Sequence, residues 1–552
     1  MAKAPSALEE AWLLEADAVF SAGTPLAEGE AFFSMELNTY KVPMSLHAAN
    51  RAKLVARMGA AGHGSGVVLM QGGKSTVRYC SDTGNDFRQE SYFNYLFGVA
   101  EPDWYAAIEL PTGRTTLFMD RLPADYAVWM GRIVPPEEFA RTYAPDGGVL
   151  YADELDGFLK EKLQQQGGGG GAAAAGGAEI DPASLAPLYL LRGLNTDSGE
   201  YTATTADFEG LKWYAHVDVA ALHPQLAECR VTKSAAELEL MRYSSWLTSM
   251  AHVEVMKGIK AGMAEYELEA IFKHFIYRNG GARHEAYTCI CACGPNSAVL
   301  HYGHAGAPNN RVLGEGDIAL LDMGARYHGY TSDITCSYPV RGTFDADQRA
   351  IYETVLDAQR QIMGAMRPGV SWPDMHRLMW RVTLTHLVAL GALAGDVDEM
   401  LEAEVGAVFI PCGLGHLIGC DTHDVGGYNP GTPARIGEPG IKALRTARLL
   451  EEGMVLTVEP GLYFIDHTID NALADERQAK FFVRERIAQL RAFGGVRLED
   501  VVAVTATGIA NYTLAPRTVE EVESVMAGGA WPPKKDGAKW LQRQWLRPLE
   551  EE

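Results

Sequence analysis

The sequence predicts an α+β protein in which helices lie on one side of a curved antiparallel sheet, preceded by an α/β domain. Three observations carry this. From Val67 to about Cys229, short apolar strand-like runs alternate with helical stretches. From Ser234 onward, long amphipathic helical stretches precede and separate short apolar strands. Acidic residues sit inside those later strands or at their ends, at Asp322, Asp333, Glu459 and Glu499.

The elements follow in order. Residues 1–36 have little pattern and read as an extension. Residues 37–229 form the α/β domain, with a hairpin from Trp104 to Met119 around Pro111-Thr-Gly113. A Gln, Gly and Ala tract at 164–178 interrupts it. Glycines with no following Lys-Ser or Lys-Thr make no phosphate loop, so the tract reads as a surface insertion. Residues 230–527 form the second domain. Ser234 and Glu237 make a capping box that opens a long helix, and a second helix spans about Glu265 to Tyr277. A third follows Asp345–Gln348 toward Met366, and a fourth starts at Trp372-Pro373, where proline suits the first turn. Ile318–Asp322 and Thr331–Cys336, joined through Gly324 and Gly329, read as a hairpin. Val455–Glu459 is a strand stopped by Pro460 and Gly461. Arg497–Val504 reads as one more strand with Glu499 on one face. Residues 528–552 form a tail containing Trp531 and Pro532.

Composition narrows the function. A chain of 552 residues supports two or more domains, and its net charge of -23 argues against a nucleic-acid partner. Apolar runs are too short to span a bilayer. Glu9, Glu10, Glu15 and Asp17 argue against a transit peptide, and no apolar secretory core follows Met1. A cytoplasmic location is expected. Eight cysteines in so long a chain do not indicate a disulfide framework. Cys289, Cys291 and Cys293 alternate and read as reduced, strand-packing thiols, since the second pair of a zinc site is missing.

The chemistry lies in five side chains: Asp322 in LLDMG, Asp333 in TSDIT, His416 in GLGHLIG, Glu459 in TVEPG and Glu499 in VRLED. Any one of them alone is more often a turn residue or part of a buried pair. The ordered set is what carries weight. Four carboxylates buried together are costly unless cations neutralise them. Four carboxylates and one imidazole make a hard, oxygen-rich set, suited to Mn2+, with zinc or cobalt as alternatives. Five ligands are too many for one catalytic ion with an open position and suit two divalent ions sharing carboxylates. The expected reaction is metal-assisted hydrolysis of an amide.

The ordered set and its surroundings resemble the pita-bread metallopeptidases, which include methionine aminopeptidase, aminopeptidase P and prolidase. Longer stretches resemble the eukaryotic prolidase group: AVLHYGHAGAPN from Ala298, SDITCSYP from Ser332, HDVGGY from His423, VLTVEPGLYFIDH from Val455 and GGVRLEDVV from Gly494. The N-terminal half joins in through FRQESYFNYLFGV from Phe87 and LRGLNTDSG from Leu191. The resemblance runs from about Leu37 to about Ala527 and implies a pita-bread fold. It also implies that Asp322 and Asp333 bind one metal, that His416 and Glu459 complete the other, and that Asp333 and Glu499 bridge. Glu459 would take the proton of the attacking water. His301 and His423 would contact the substrate and stabilise the tetrahedral intermediate, Arg445 would pair with the C-terminal carboxylate, and Tyr287 and Arg497 would lie near the metals. The implied substrate is an Xaa-Pro dipeptide, and the implied assembly is a homodimer. Alternatives are an aminopeptidase P acting on longer peptides and a pita-bread binding protein without activity. One departure stands out. Where the family reads HGLGH, this chain has Cys412, which cannot offer an imidazolium to a substrate carboxylate. Retained activity with a changed Michaelis constant is expected; the alternatives are that Arg445 suffices and Cys412 is tolerated, or that pH dependence alters together with sensitivity to oxidation.

Overall fold

The computed structural model describes residues 26–36, 39–167, 180–202, 204–546 and 549. Most of the 1–36 extension, residues 168–178 of the Gln, Gly and Ala tract, and the last residues of the tail lie outside the described residues. The chain divides into two compact units: Pro25–Ser34 with Lys41–Arg230, and Met1–Thr24 and Met35–Tyr40 with Val231–Glu552.

The first unit runs α1 (Met44–Ala60), β1 (Val67–Gln71), α2 (Ser91–Phe97), β2 (Tyr105–Glu109), β3 (Thr115–Met119), β4 (Val149–Tyr151), α3 (Leu155–Gln166), β5 (Leu188–Leu190) and β6 (Val217–Asp218). Its strands form one mixed sheet in the order β4-β3-β2-β1-β5-β6. The expected hairpin is present, with β2 and β3 antiparallel and Tyr105 opposite Phe118. β1 lies in the middle of the sheet and is buried along its whole length, which is why it reads as a continuous apolar run. Leu155, Leu159 and Leu163 recur every fourth residue along α3 and pack with Val67, Leu69 and Leu188 in one core cluster.

The second unit opens with α4 (Ala235–Gly258) and α5 (Glu265–Gly280), which pack together. The capping box forms: Ser234 Oγ accepts from the Glu237 amide, and Glu237 Oε2 accepts from the Ser234 amide at 2.8 Å. Then come β7 (His284–Glu285), β8 (Ile290–Cys293), β9 (Ile318–Asp322), β10 (Ala325–Tyr327), β11 (Tyr330–Thr331) and β12 (Thr335–Pro339). Next are α6 (Ala346–Ala365) and α7 (Trp372–Ala389), again a packed pair, with Asp345 capping α6 and Pro373 in the first turn of α7. The chain closes with β13 (Val455–Val458), β14 (Gly461–Tyr463), β15 (Gly495–Arg497), β16 (Asp500–Val504), β17 (Ile509–Asn511) and α8 (Val519–Met526).

Two strand readings need correcting. β9 does pair antiparallel with β12, Asp322 facing Thr335, but the link between them is no tight turn. β10 and β11 form their own hairpin there, turning at His328 and Gly329 (φ 43° and 82°), and β10 also pairs with β7. Nor is Arg497–Val504 one strand. β15 pairs with β14 and β16 with β13, and the break falls at Leu498 and Glu499. Across the sheet stands Pro460, which has no N–H to donate. Its carbonyl accepts from the Leu498 amide, and the Glu499 amide turns to the Thr335 carbonyl instead (3.1 Å).

Candidate metal centre

Breaks in the strands set the site. Asp322 ends β9, Asp333 precedes β12, Glu459 falls between β13 and β14, and Glu499 falls between β15 and β16. His416 lies outside the strands but is held against β13: its amide donates to Thr457 Oγ1 (3.0 Å), and its carbonyl accepts from the Thr457 amide (2.9 Å). Two motif glycines allow this closeness. A Cβ on Gly415 would meet the Thr457 carbonyl oxygen at 2.1 Å, and one on Gly324 would meet that of Ser332 at 1.9 Å.

A cavity of about 860 Å³ is lined by every side chain singled out in the sequence: the five candidate ligands with Tyr287, His301, Cys412, His423, Arg445 and Arg497. Ligand atoms of Asp333, His416 and Glu499 all lie within 4.8 Å of one another, and all three residues are buried. His416 Nε2 stands 3.4 Å from Asp333 Oδ2 and 3.5 Å from Glu459 Oε1. Its Nδ1 is 3.0 Å from the Leu417 carbonyl. A carbonyl only accepts, so Nδ1 carries the hydrogen and Nε2 turns its lone pair toward the acids when the ring is neutral. Tyr287 OH is within hydrogen-bonding reach of Asp322 Oδ1 (2.5 Å) and of Asp333 Oδ1. One phenolic hydrogen cannot serve both.

The electrostatics agree. Arg497 is a cation among these acids, its Nη2 2.6 Å from Asp322 Oδ2. Burial raises the Asp322 carboxyl to about 6 and the Glu459 carboxyl to about 7, against the pull of nearby cations. Glu499 is pushed far above the usual range by burial and by the charges of Asp333 and Glu459. Asp333 is lowered despite burial, because His416 bonds it. His416 is raised although burial opposes it, through Asp333 and Glu459. Such a set of buried acids with an imidazole lone pair aimed into it fits divalent cations: Asp322, Asp333, His416, Glu459 and Glu499 have the donor chemistry to hold them.

Several supporting residues went unread in the sequence. Thr335 Oγ1 donates to Glu499 Oε2 (2.7 Å), and Thr457 Oγ1 lies 3.2 Å from Glu459 Oε1. Tyr463 OH accepts from Arg497 Nη1 (2.8 Å). Thr335 and Thr457 each stand two residues from an acid, a spacing that places side chains on one face of an extended chain. That signal was available. The Lys233–Asp424 ion pair (3.1 Å, both side chains buried) was not. It anchors the segment carrying His423, whose pKa burial lowers to about 3. Burial also lowers His301. Arg497, which could have been a surface arginine, is buried.

Three of the thiols are quiet. Burial raises Cys412 to about 12, with the Glu459 charge adding to it, so the thiolate that oxidants attack is scarce. Cys291 and Cys293 are likewise pushed far up by burial, in keeping with packing thiols.

Comparison with known proteins decides the family. Residues 239–506 match the profile of metallopeptidase family M24, and residues 47–168 match that of the aminopeptidase P N-terminal domain. The chain is 51% identical over 504 residues to the Xaa-Pro dipeptidase of Homo sapiens, covering 91% of this chain and 97% of that one. This chain belongs to metallopeptidase family M24. A probable Xaa-Pro aminopeptidase of Phaeosphaeria nodorum is 33% identical, with 89% of this chain and 97% of that protein covered. The structure of an aminopeptidase from Pseudomonas aeruginosa superposes with a TM-score of 0.69 at 29% identity, covering 88% of this chain and 98% of that one. The M24 chain thus has the pita-bread fold with its N-terminal domain, and it is a peptide hydrolase. No described helix is long and apolar enough to cross a membrane.

Proposed function

We propose that this M24 chain is an Xaa-Pro dipeptidase that works with two divalent metal ions, Mn2+ by preference. The observation that carries the reading is the convergence of three buried acids, the partly exposed Glu459 and His416 on one cavity, in a chain that is 51% identical over 504 residues to a human enzyme of that name. Asp322 and Asp333 would hold one ion, His416 and Glu459 the other, with Asp333 and Glu499 shared. Bound there, the ions would supply Lewis acidity for water and for the scissile carbonyl.

The remaining work falls to the chain's own groups. Glu459 accepts the proton of the attacking water and passes it to the leaving nitrogen. In an Xaa-Pro bond that nitrogen carries no hydrogen, so it needs a proton in order to leave. His301 and His423, kept neutral, offer an N–H to the developing oxyanion. Arg445 pairs with the proline carboxylate through its guanidinium fork. Anchoring both ends of the substrate restricts length to a dipeptide. We further infer a cytoplasmic enzyme that acts as a homodimer. The run Val128, Trp129 and Met130, exposed at 76%, 85% and 67%, is apolar surface of the kind a second copy would cover.

The test is release of proline from Gly-Pro and of glycine from Gly-Pro-Ala by metal-free protein with and without added Mn2+. Mn2+-dependent cleavage of the dipeptide alone is expected. Equal or faster cleavage of the tripeptide would reassign the chain to aminopeptidase P. No turnover with any divalent ion would leave a binding role.

A further inference from the structure

Beneath the candidate metal centre lies a second polar cluster with no place in the proposed chemistry. At its middle is Arg517, whose side chain is 1% exposed. Its guanidinium makes three connections. Nε donates to Asp500 Oδ1 (2.7 Å), Nη2 donates to the Glu499 carbonyl (2.7 Å), and Nη1 lies 3.2 Å from Cys336 Sγ. Asp500 opens β16 directly after Glu499, and Cys336 is in β12, directly after the Asp333 segment. One planar group therefore ties together the two strand starts from which Asp333 and Glu499 project. Only a guanidinium has donors enough, in a fixed plane, to do this.

The support extends to the C-terminal tail by two routes that meet at Asp500. In one, the Arg517 amide donates to Glu521 Oε2 (2.9 Å), and Arg543 Nη2 donates to Glu521 Oε1 (2.6 Å). In the other, Asn511 Nδ2 donates to Asp500 Oδ2 (2.7 Å), while the Asn511 backbone exchanges hydrogen bonds with Gln542 and Gln544 of the tail (3.1 and 2.8 Å). Arg543 itself lies over the rings of Trp531 and Trp545, which contact each other, and pairs with Asp536 at 2.6 Å. Trp531 Nε1 donates to the Leu514 carbonyl (2.7 Å). The tail is therefore a strap fastened to β17, to α8 and to the Leu514–Arg517 segment.

We propose that Arg517 is a positioning residue for Glu499, setting how tightly the site holds divalent metal, and that the strap through Arg543 steadies it. This rests on reading Glu499 as a metal ligand. Among the described residues the side chain of Glu499 has one hydrogen-bond partner, Thr335 Oγ1, so its aim depends on where its backbone is held. Groups that orient ligands in this way change metal affinity by about 10–100-fold when removed.

The experiment is calorimetric titration of the metal-free full chain with Mn2+, beside thermal melts and Gly-Pro kinetics at saturating Mn2+. Arg517→Lys keeps the positive charge for Asp500 but cannot also reach the Glu499 carbonyl and Cys336. It should bind Mn2+ about 10–100-fold more weakly, with kcat largely recovered once metal saturates. A lowered melting temperature with a wild-type binding isotherm means a structural role alone and overturns the proposal. Should Arg517→Lys fail to fold by near-UV circular dichroism, Arg543→Ala takes its place. That variant should bind Mn2+ several-fold more weakly with KM for Gly-Pro unchanged at saturating metal, and wild-type binding by it overturns the proposal. A wild-type chain that binds Mn2+ yet leaves Gly-Pro intact refutes the dipeptidase reading and not this one.

Discussion

Removing the metal should expose a share of stability, carried by Glu459, that falls as pH rises, while His423, whose pKa is lowered to about 3, pulls the other way below pH 6.5. In the folded, metal-free chain the Glu459 carboxyl sits at about 7, against an ordinary 4.5. Between those values the folded state keeps a proton that the unfolded state has released. By linkage, stability is then full below 4.5 and is lost as pH climbs through 7. At 1.36 kcal/mol per pH unit the whole loss is about 3 kcal/mol, of which about 2.5 kcal/mol falls between pH 5 and pH 8. Asp322, at about 6 against 3.8, acts in the same direction. So does His416, whose raised pKa gives stability that is present below 6.5 and fades as pH rises. Asp333, lowered, contributes only below its ordinary 3.8, outside this window. For a unit of roughly 320 residues the unfolding entropy is about 0.7 kcal/mol/K, so Glu459 alone should lower the melting temperature by about 4 °C from pH 5 to pH 8. The assay is differential scanning calorimetry of chelator-treated protein across that range, beside Glu459→Gln, which keeps the shape and cannot titrate. Relative to the variant, wild type should lose stability as pH rises, and Mn2+ should reverse that difference, because ligands must lose protons to bind metal. Parallel slopes for the two proteins, or a wild type that gains on the variant as pH rises, would refute the reasoning.

The other predictions concern single positions. Glu459→Gln should lower kcat on Gly-Pro by about 10²–10⁴-fold, the usual cost of losing a general base, measured at saturating Mn2+. Cys412→His places an imidazole beside the apolar cluster of Ile290, Tyr302 and Tyr463 and near Arg497. It should change KM for Gly-Pro and its pH profile, with kcat within a few-fold of wild type, and unchanged steady-state parameters would show that Cys412 is merely tolerated. Gly415→Ala forces a methyl against the Thr457 carbonyl, so β13 must move. It should destabilise by about 1–3 kcal/mol in a melt and weaken Mn2+ binding as His416 shifts.

Much of this could be read from the sequence because the chemistry is written at strand ends. The order of Asp322, Asp333, His416, Glu459 and Glu499 pointed to metal from residue type alone, and the cavity collects all of them. The capping boxes at Ser234 and Asp345 could be read too, since they are local. The roles of His301, His423 and Arg445 came only through family resemblance, for nothing near them in sequence marks them out. The break at Glu499 was illegible for a physical reason: the proline opposite it, Pro460, stands far off in sequence, between β13 and β14. The strap was illegible for the same kind of reason. Arg543 looks like an unremarkable charge until Glu521, Asp536 and two tryptophan rings surround it.

Why the acids lie at breaks rather than within strands has a physical answer. Inside a ladder, backbone bonding and side-chain direction are set together, and neighbouring side chains alternate faces. At a break the backbone can bond elsewhere, and so it does. The Glu499 amide reaches Thr335, and the Glu459 amide reaches Leu414. Each of these bonds joins two segments that carry candidate ligands. The breaks therefore cross-link the segments to one another, leaving the side chains to point inward together. Rigidity of this kind keeps charges close that would otherwise separate, and the carboxyls of Asp322, Glu459 and Glu499 are raised by burial first and by that enforced closeness second. A scaffold able to hold acids in that arrangement before any cation arrives is preorganised for metal, and a loosening of its cross-links should appear first as weaker metal binding and only later as unfolding.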